Sequence, residues 1–212
     1  MPYTRDHYDP MKTPMQHGTY TVLETAYIAD TEERFVAGEI EARIIPVRPD
    51  RTLKTRIRLL DRSGVFYISL IKPYRKGMDR TVRSQFWAAV DDAVTKQMPE
   101  AFIGPLVIDM TVLLASVEPR LSQVDRLRDE VTWDPRVCSG APVLRGTRHR
   151  VHQIAELRRQ GVTDAEFREE YELAAEQIES AVLYDRLHPR LGRPAAGARL
   201  IKNFVEHVPD HR

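Results

Sequence analysis

The side chains in this chain best suited to chemistry are cations. Over residues 43–62 stand Arg43, Arg48, Arg51, Lys54, Arg56, Arg58 and Arg62, opposed only by Asp50 and Asp61. A run of this kind binds phosphate, because DNA affinity comes chiefly from cations that neutralise backbone charges and release counterions. The whole chain of 212 residues carries a formal net charge of only +1, so the distribution of charge, not its total, points to nucleic acid. The balance reverses over residues 163–180. There Asp164, Glu166, Glu169, Glu170, Glu172, Glu176 and Glu179 face only Arg168, and the plain reading is a solvated helical face.

Groupings that would carry catalysis are thinner. His149 and His152 stand three apart, a spacing a metal pair uses, yet no third ligand accompanies them and Arg148 and Arg150 crowd them with charge of the same sign. Asp91, Asp92 and Asp109 are the acids a magnesium nuclease would need, but neighbouring positions on a helix point in different directions, so they form no shared site. Cys138, the only cysteine, reads as a small packed residue in a turn, and its solitude excludes an intrachain disulfide. No catalytic residue, metal or cofactor is expected.

The elements that must position the cations come just before and within them. Residues 20–45 read as two short helices, the first with Leu23, Ala26, Tyr27 and Ile28 facing inward. Asp30 with Glu33 forms a capping-box pattern that opens the second, whose apolar stripe is Phe35, Val36 and Ile40. Two short helices around a tight polar turn have helix-turn-helix spacing; Glu32, Glu33 and Glu39 on the second count against close phosphate approach. Residues 55–60 read as a strand, Asp61 as the cap of a helix carrying Val65, Phe66, Ile68, Leu70 and Ile71, residues 72–83 as a basic loop, and 81–97 as a further helix. Residues 106–110 read as a buried strand after a turn at Gly104-Pro105, and 119–130 as a helix. DNA contact is assigned to Arg34, Arg43, Arg48, Arg51, Lys54, Arg56 and Arg58.

Residues 134–194 carry the sharpest pattern. The run DPRVCSGAPVLRGTR at 134–148 is rich in turn formers around a brief strand at Pro142, Val143 and Leu144. A helix over 151–160 stops at Gly161, a second opens on the Thr163/Glu166 capping box, and a third runs over 174–187 with Ile178, Ala181, Val182 and Leu183 on one face. The exit is His188-Pro189-Arg190-Leu191-Gly192-Arg193-Pro194. This order of motifs resembles domain-of-unknown-function family 433, which is similar to antitoxins of VapBC-like toxin–antitoxin pairs and belongs to the helix-turn-helix folds. His149-Arg150 stands where members of that family often have Ile-Pro.

The resemblance implies an antitoxin that binds and neutralises a PIN-like ribonuclease toxin and represses its own operon by binding operator DNA, without catalysis of its own. The alternative is a stand-alone transcriptional regulator with a C-terminal dimerisation domain. The expected fold is mainly α with short β-strands, built from two helix-turn-helix-like domains, an N-terminal winged type and a C-terminal three-helix antitoxin domain. The expected division is a mobile arm at 1–18, a DNA-binding domain at 19–118, the antitoxin domain at 119–194 and a partner-binding tail at 195–212. In the tail and the exit before it, Arg190, Arg193, Arg199, Leu200, Lys202 and Phe204 are assigned to the toxin. A homodimer is expected, with Pro142, Val143, Leu144 and Arg145 offering a strand edge to a second copy. The N-terminus lacks the apolar core of a signal peptide, and no stretch approaches a membrane span, so a cytoplasmic protein without membrane contact is expected.

Overall fold

The computed structural model describes residues 18–49, 58–134 and 136–189. They are mainly helical with short strands, in the order β1 (Thr19–Thr21), α1 (Val22–Ile28), α2 (Glu33–Glu41), β2 (Arg48–Pro49), β3 (Arg58–Asp61), α3 (Arg62–Ile71), α4 (Arg80–Thr95), β4 (Glu100–Ile103), β5 (Leu106–Asp109), α5 (Met110–Glu130), β6 (Val131–Thr132), β7 (Val143–Leu144), α6 (Val151–Arg159), α7 (Asp164–Tyr171) and α8 (Ala175–Leu187). No helix of the described residues is long and apolar enough to cross a membrane.

The N-terminal strands close on one another across the sequence. β1 and β2 both pair antiparallel with β3, giving the sheet order β1-β3-β2, with Tyr20 opposite Leu60 and Arg48 opposite Leu59. Two of these strands end in residues that start helices. Thr21 caps α1 in a capping box with Glu24, and Asp61 caps α3 by accepting from the Gly64 N–H at 3.0 Å, each satisfying donors that a helix start leaves open.

The 21-residue helix α5 is the spine. It packs against α1, α3, β4 and α8, and one apolar core runs through the described residues from Tyr20 and Leu60 through Val124 and Leu127 to Ile154, Phe167 and Tyr184. The sequence places a domain boundary at 118–119. There the chain is the interior of α5, with Pro119 inside the helix, so both halves of the molecule bury apolar surface against the same element.

Three expectations are corrected by packing. The strand at 106–109 exists, but among the described residues it pairs with β4 alone and leaves Leu106 and Val107 exposed instead of buried. Asp30 does not cap α2: it takes a left-handed conformation at φ 52°, and α2 starts after Glu32 with no side-chain cap. Val182, placed on the apolar face of α8, is exposed. By contrast Gly161 is left-handed at φ 97° and Thr163 with Glu166 forms the capping box of α7.

Candidate nucleic-acid interface

The proposed contact residues converge on α2 and the strands that follow it. Arg34 lies exposed at the start of α2 and pairs with Glu32. Arg43 follows the helix in a left-handed conformation at φ 55° and borders a shallow groove with Ile40, Ile44, Ile45, Pro46, Val47 and Trp87. Arg48 falls on β2, and Arg58 is exposed on β3, 3.9 Å from Glu41. Arg51, Lys54 and Arg56 belong to the segment joining β2 to β3 and lie outside the described residues. So do Arg190, Arg193, Arg199, Leu200, Lys202 and Phe204.

What holds α2 in place is a buried carboxylate that sequence reading took for a surface acid. Glu39 is fully buried and sits among Arg75 Nε at 2.6 Å, Arg83 Nη1 at 2.6 Å and the Tyr67 hydroxyl at 2.9 Å. An isolated carboxylate at such depth costs several kcal/mol, and two guanidiniums with a phenol offset it. Burial, with Glu39 beside it, pushes the Tyr67 phenol up from its usual range. The partners lie 28 to 44 residues away in sequence, so local spacing held no sign of them. With Glu39 withdrawn, one of the three acids counted against phosphate approach is absent from the surface.

The same cluster adds a basic strip that was not assigned to DNA. Lys72, Arg75, Lys76, Arg80 and Arg83 connect α3 to α4, with Asp79 the only acid among residues 72–83. Lys72, Lys76 and Arg80 are exposed. The strip abuts the start of α2: Arg75 lies over the Phe35 ring at 5.1 Å, and Lys72 donates to the backbone carbonyl of Asp30. A Cβ added at Gly38 would stand 3.1 Å from Arg75 Nη2, so a glycine is what lets the guanidinium come this close to α2. Arg120 and Lys72 hold the Asp30 carboxyl below the usual carboxylate range.

The other candidates resolve into structural roles. Asp109 caps α5, accepting from Thr111 N–H at 2.8 Å and Val112 N–H at 3.2 Å, and these donors with the Thr111 hydroxyl lower its carboxyl. Asp92 pairs with Lys96 at 2.7 Å. His149 sits edge-on to Tyr171 and His152 meets Asp185. Cys138 directs its thiol to the Arg148 carbonyl at 3.3 Å. Among the described residues no group of three or more metal-ligating side chains gathers.

The edge offered for dimerisation is filled within the chain. Val143 and Leu144 are buried and pair with β6 on one side, while Val143 bridges to Arg150 on the other. Arg145 N–H donates to the Glu130 carbonyl at 2.7 Å and the Pro142 carbonyl accepts from Val151 at 3.0 Å. Among the described residues, 142–145 are therefore paired within the chain on both sides.

A mainly helical protein with a cationic surface around α2 is what these observations define. Residues 131–184 match the family model described as "Protein of unknown function (DUF433)". No curated protein matches the chain. The crystal structure of Rv2018 from Mycobacterium tuberculosis aligns over 77% of this chain and 96% of that chain, at 16% identity and a TM-score of 0.38, a superposition too loose to define a shared fold.

Proposed function

We propose that this protein binds duplex DNA through a winged helix-turn-helix unit at residues 19–61 and acts as the autorepressing antitoxin of a PIN-like ribonuclease. The observation that carries the DNA reading is the order β1-α1-α2-β2-β3 with the sheet order β1-β3-β2. In sequence α2 is followed by a β2–β3 connection containing Arg51, Lys54 and Arg56, and the exposed cations Lys72, Lys76 and Arg80 belong to the strip that abuts the start of α2. A short helix with cations gathered near it suits a groove bounded by phosphate backbones. Glu32 at the N-cap and Glu33 and Glu41 on α2 leave affinity to these cations.

The antitoxin role rests on the resemblance of residues 134–194 to family 433 and on the tail, where Arg199 and Lys202 interleave with Leu200, Ile201, Phe204 and Val205. Cations of this kind would enter the acidic metal site of a PIN-like nuclease. A second reading, the stand-alone regulator, is favoured by the packing of α8 on α5 and α1, which gives the family region a structural task within the chain.

Salt-dependent DNA binding tests the first part. Replacing Arg51 and Lys54 together with alanine should lower the slope of log affinity against log salt by about 0.9 for each lost contact, and Lys76→Ala with Arg80→Ala should do the same. Unchanged slopes in both double variants would remove the DNA role. Co-purification with an adjacently encoded PIN-like nuclease tests the second part: a chain ending at Pro194 that still inhibits fully would remove the tail from toxin binding.

A further inference from the structure

The hairpin β4–β5 is an apolar surface that DNA binding does not use. Of the six exposed large hydrophobic residues among the described ones, three lie on this hairpin and a fourth on the helix turn that follows it: Phe102 at 53%, Leu106 at 48%, Val107 at 51% and Val112 at 66% exposed. The hairpin is well formed. Gly104 at φ 57° supplies the positive φ that its two-residue Gly104-Pro105 loop needs, and Met110 N–H closes the base on the Pro99 carbonyl at 2.8 Å.

The two strands differ in surroundings. β4 lies against α4 and α5 and buries Ala101, whereas β5 is the outer strand and pairs, among the described residues, with β4 alone. Edge strands are normally protected by Lys, by Pro, by a bulge or by a cover. β5 reads Leu106-Val107-Ile108-Asp109 with none of these within it, and its register with β4 is unbroken. Between Lys96 and Arg120 the sequence holds no Lys or Arg and only Glu100, Asp109 and Glu118 as charges. That composition repels phosphate and suits an apolar protein surface.

We infer that β5 pairs antiparallel with β5 of a second copy about a two-fold axis centred on Val107. The register supports this occupant. Phe102 stands opposite Val107 on the exposed face of the hairpin, so a two-fold at Val107 lines up Phe102, Val107, and Val107 and Phe102 of the second copy in one continuous apolar row. Leu106 then falls opposite Ile108 of the second copy on the other face, keeping like faces together as the strand period demands. An isologous interface needs a self-complementary patch, and this row is its own complement. The result is a four-stranded sheet, β4-β5-β5-β4, that replaces the edge expected at 142–145.

Sedimentation of the full chain tests this. The protein should dimerise at micromolar concentration, and Val107→Lys, which sets two like charges face to face on the axis, should weaken the dimer by about tenfold or more without lowering the melting temperature. A second measurement stands apart from folding effects: in a Cys138→Ser background, Val107→Cys should form a covalent dimer under mild oxidation, since facing residues of this pairing lie within disulfide reach, while Tyr74→Cys should not. A monomeric full chain, a dimer indifferent to Val107→Lys, or a dimer that Val107→Cys fails to cross-link overturns the proposal. So does a chain that dimerises only after residues 190–212 are removed, because the tail then covers β5. Variants of Arg51 and Lys54 should leave the dimer intact, so loss of DNA binding and loss of self-pairing are separately visible.

Discussion

Two helix pairs in this molecule share a local design and differ in everything around it. α1 and α2 are joined through Asp30 at φ 52°, and α7 and α8 through Glu172 at φ 55°. Both pairs open on a threonine–glutamate capping box, Thr21 with Glu24 and Thr163 with Glu166. Yet α2 is flanked by Arg34, Arg43, Arg58, Lys72 and Arg75, whereas α7 exposes Asp164, Glu166, Glu169 and Glu170. α8 in turn is spent on packing: Ile178, Ala181, Tyr184 and Leu187 are buried, against α6 and α5. The difference teaches that helix spacing marks a local folding solution, and that the surrounding charge separates a cationic surface from an acidic packing unit.

Substitutions at the buried ends of the two pairs should break the comparison most. Glu39→Ala leaves Arg75 and Arg83 facing each other over a vacated site, and should cost about 3–5 kcal/mol of unfolding free energy in urea. Next come the two capping glutamates. Glu24 is buried, accepts from Thr21 N–H at 2.7 Å and stands 3.6 Å from Arg128 and 3.7 Å from His188, so Glu24→Gln should cost about 2 kcal/mol. Glu166 serves the same capping role in full solvent, and Glu166→Gln should cost much less in the same titration. Equal losses would mean that the capping geometry, not the buried ion pairs, sets the value of Glu24.

The last effect is an alkaline one at Tyr20, on β1 just before the N-terminal pair. Burial, with the nearby Asp125 carboxylate, raises the Tyr20 phenol from 10.0 to about 12. A folded-state pKa above the unfolded one favours the protonated folded form, so the stability Tyr20 contributes is full below pH 10.0 and declines as pH rises toward about 12. Chemical denaturation across that window should show a shallower decline for Tyr20→Phe. An identical decline in both proteins would assign the effect to other groups, Tyr67 first.

Local signals were the legible ones. Gly161 and the Thr163/Glu166 box were readable because the residues that make the contacts are at most three apart, and the brief strand at Val143 and Leu144 because prolines and glycines punctuate it. Asp61 as the cap of α3 was readable for the same reason. The sheet order β1-β3-β2 joins Thr19 to Asp61, and Glu39 finds Arg83 forty-four residues on; neither leaves a trace in spacing. An apolar run such as Leu106-Val107-Ile108 looks the same whether a core covers it or nothing does. In the candidate interface, the cations were visible as charge, while Glu39, the acid that pairs with Arg75 and Arg83, was misread as surface because a glutamate carries no mark of its burial.

The course of α5 through both halves bears on how the molecule comes apart. The chain has two tryptophans: Trp87 on α4, edge-on to Tyr67 at 5.8 Å, and Trp133 just beyond β6, close against Gly140. They are intrinsic fluorophores on different elements, one on α4 and one just past the end of α5 and β6, and a Trp133→Phe chain isolates the emission of the first. Since neither half can release α5 without exposing apolar surface of the other, the two emissions should shift together along one cooperative transition.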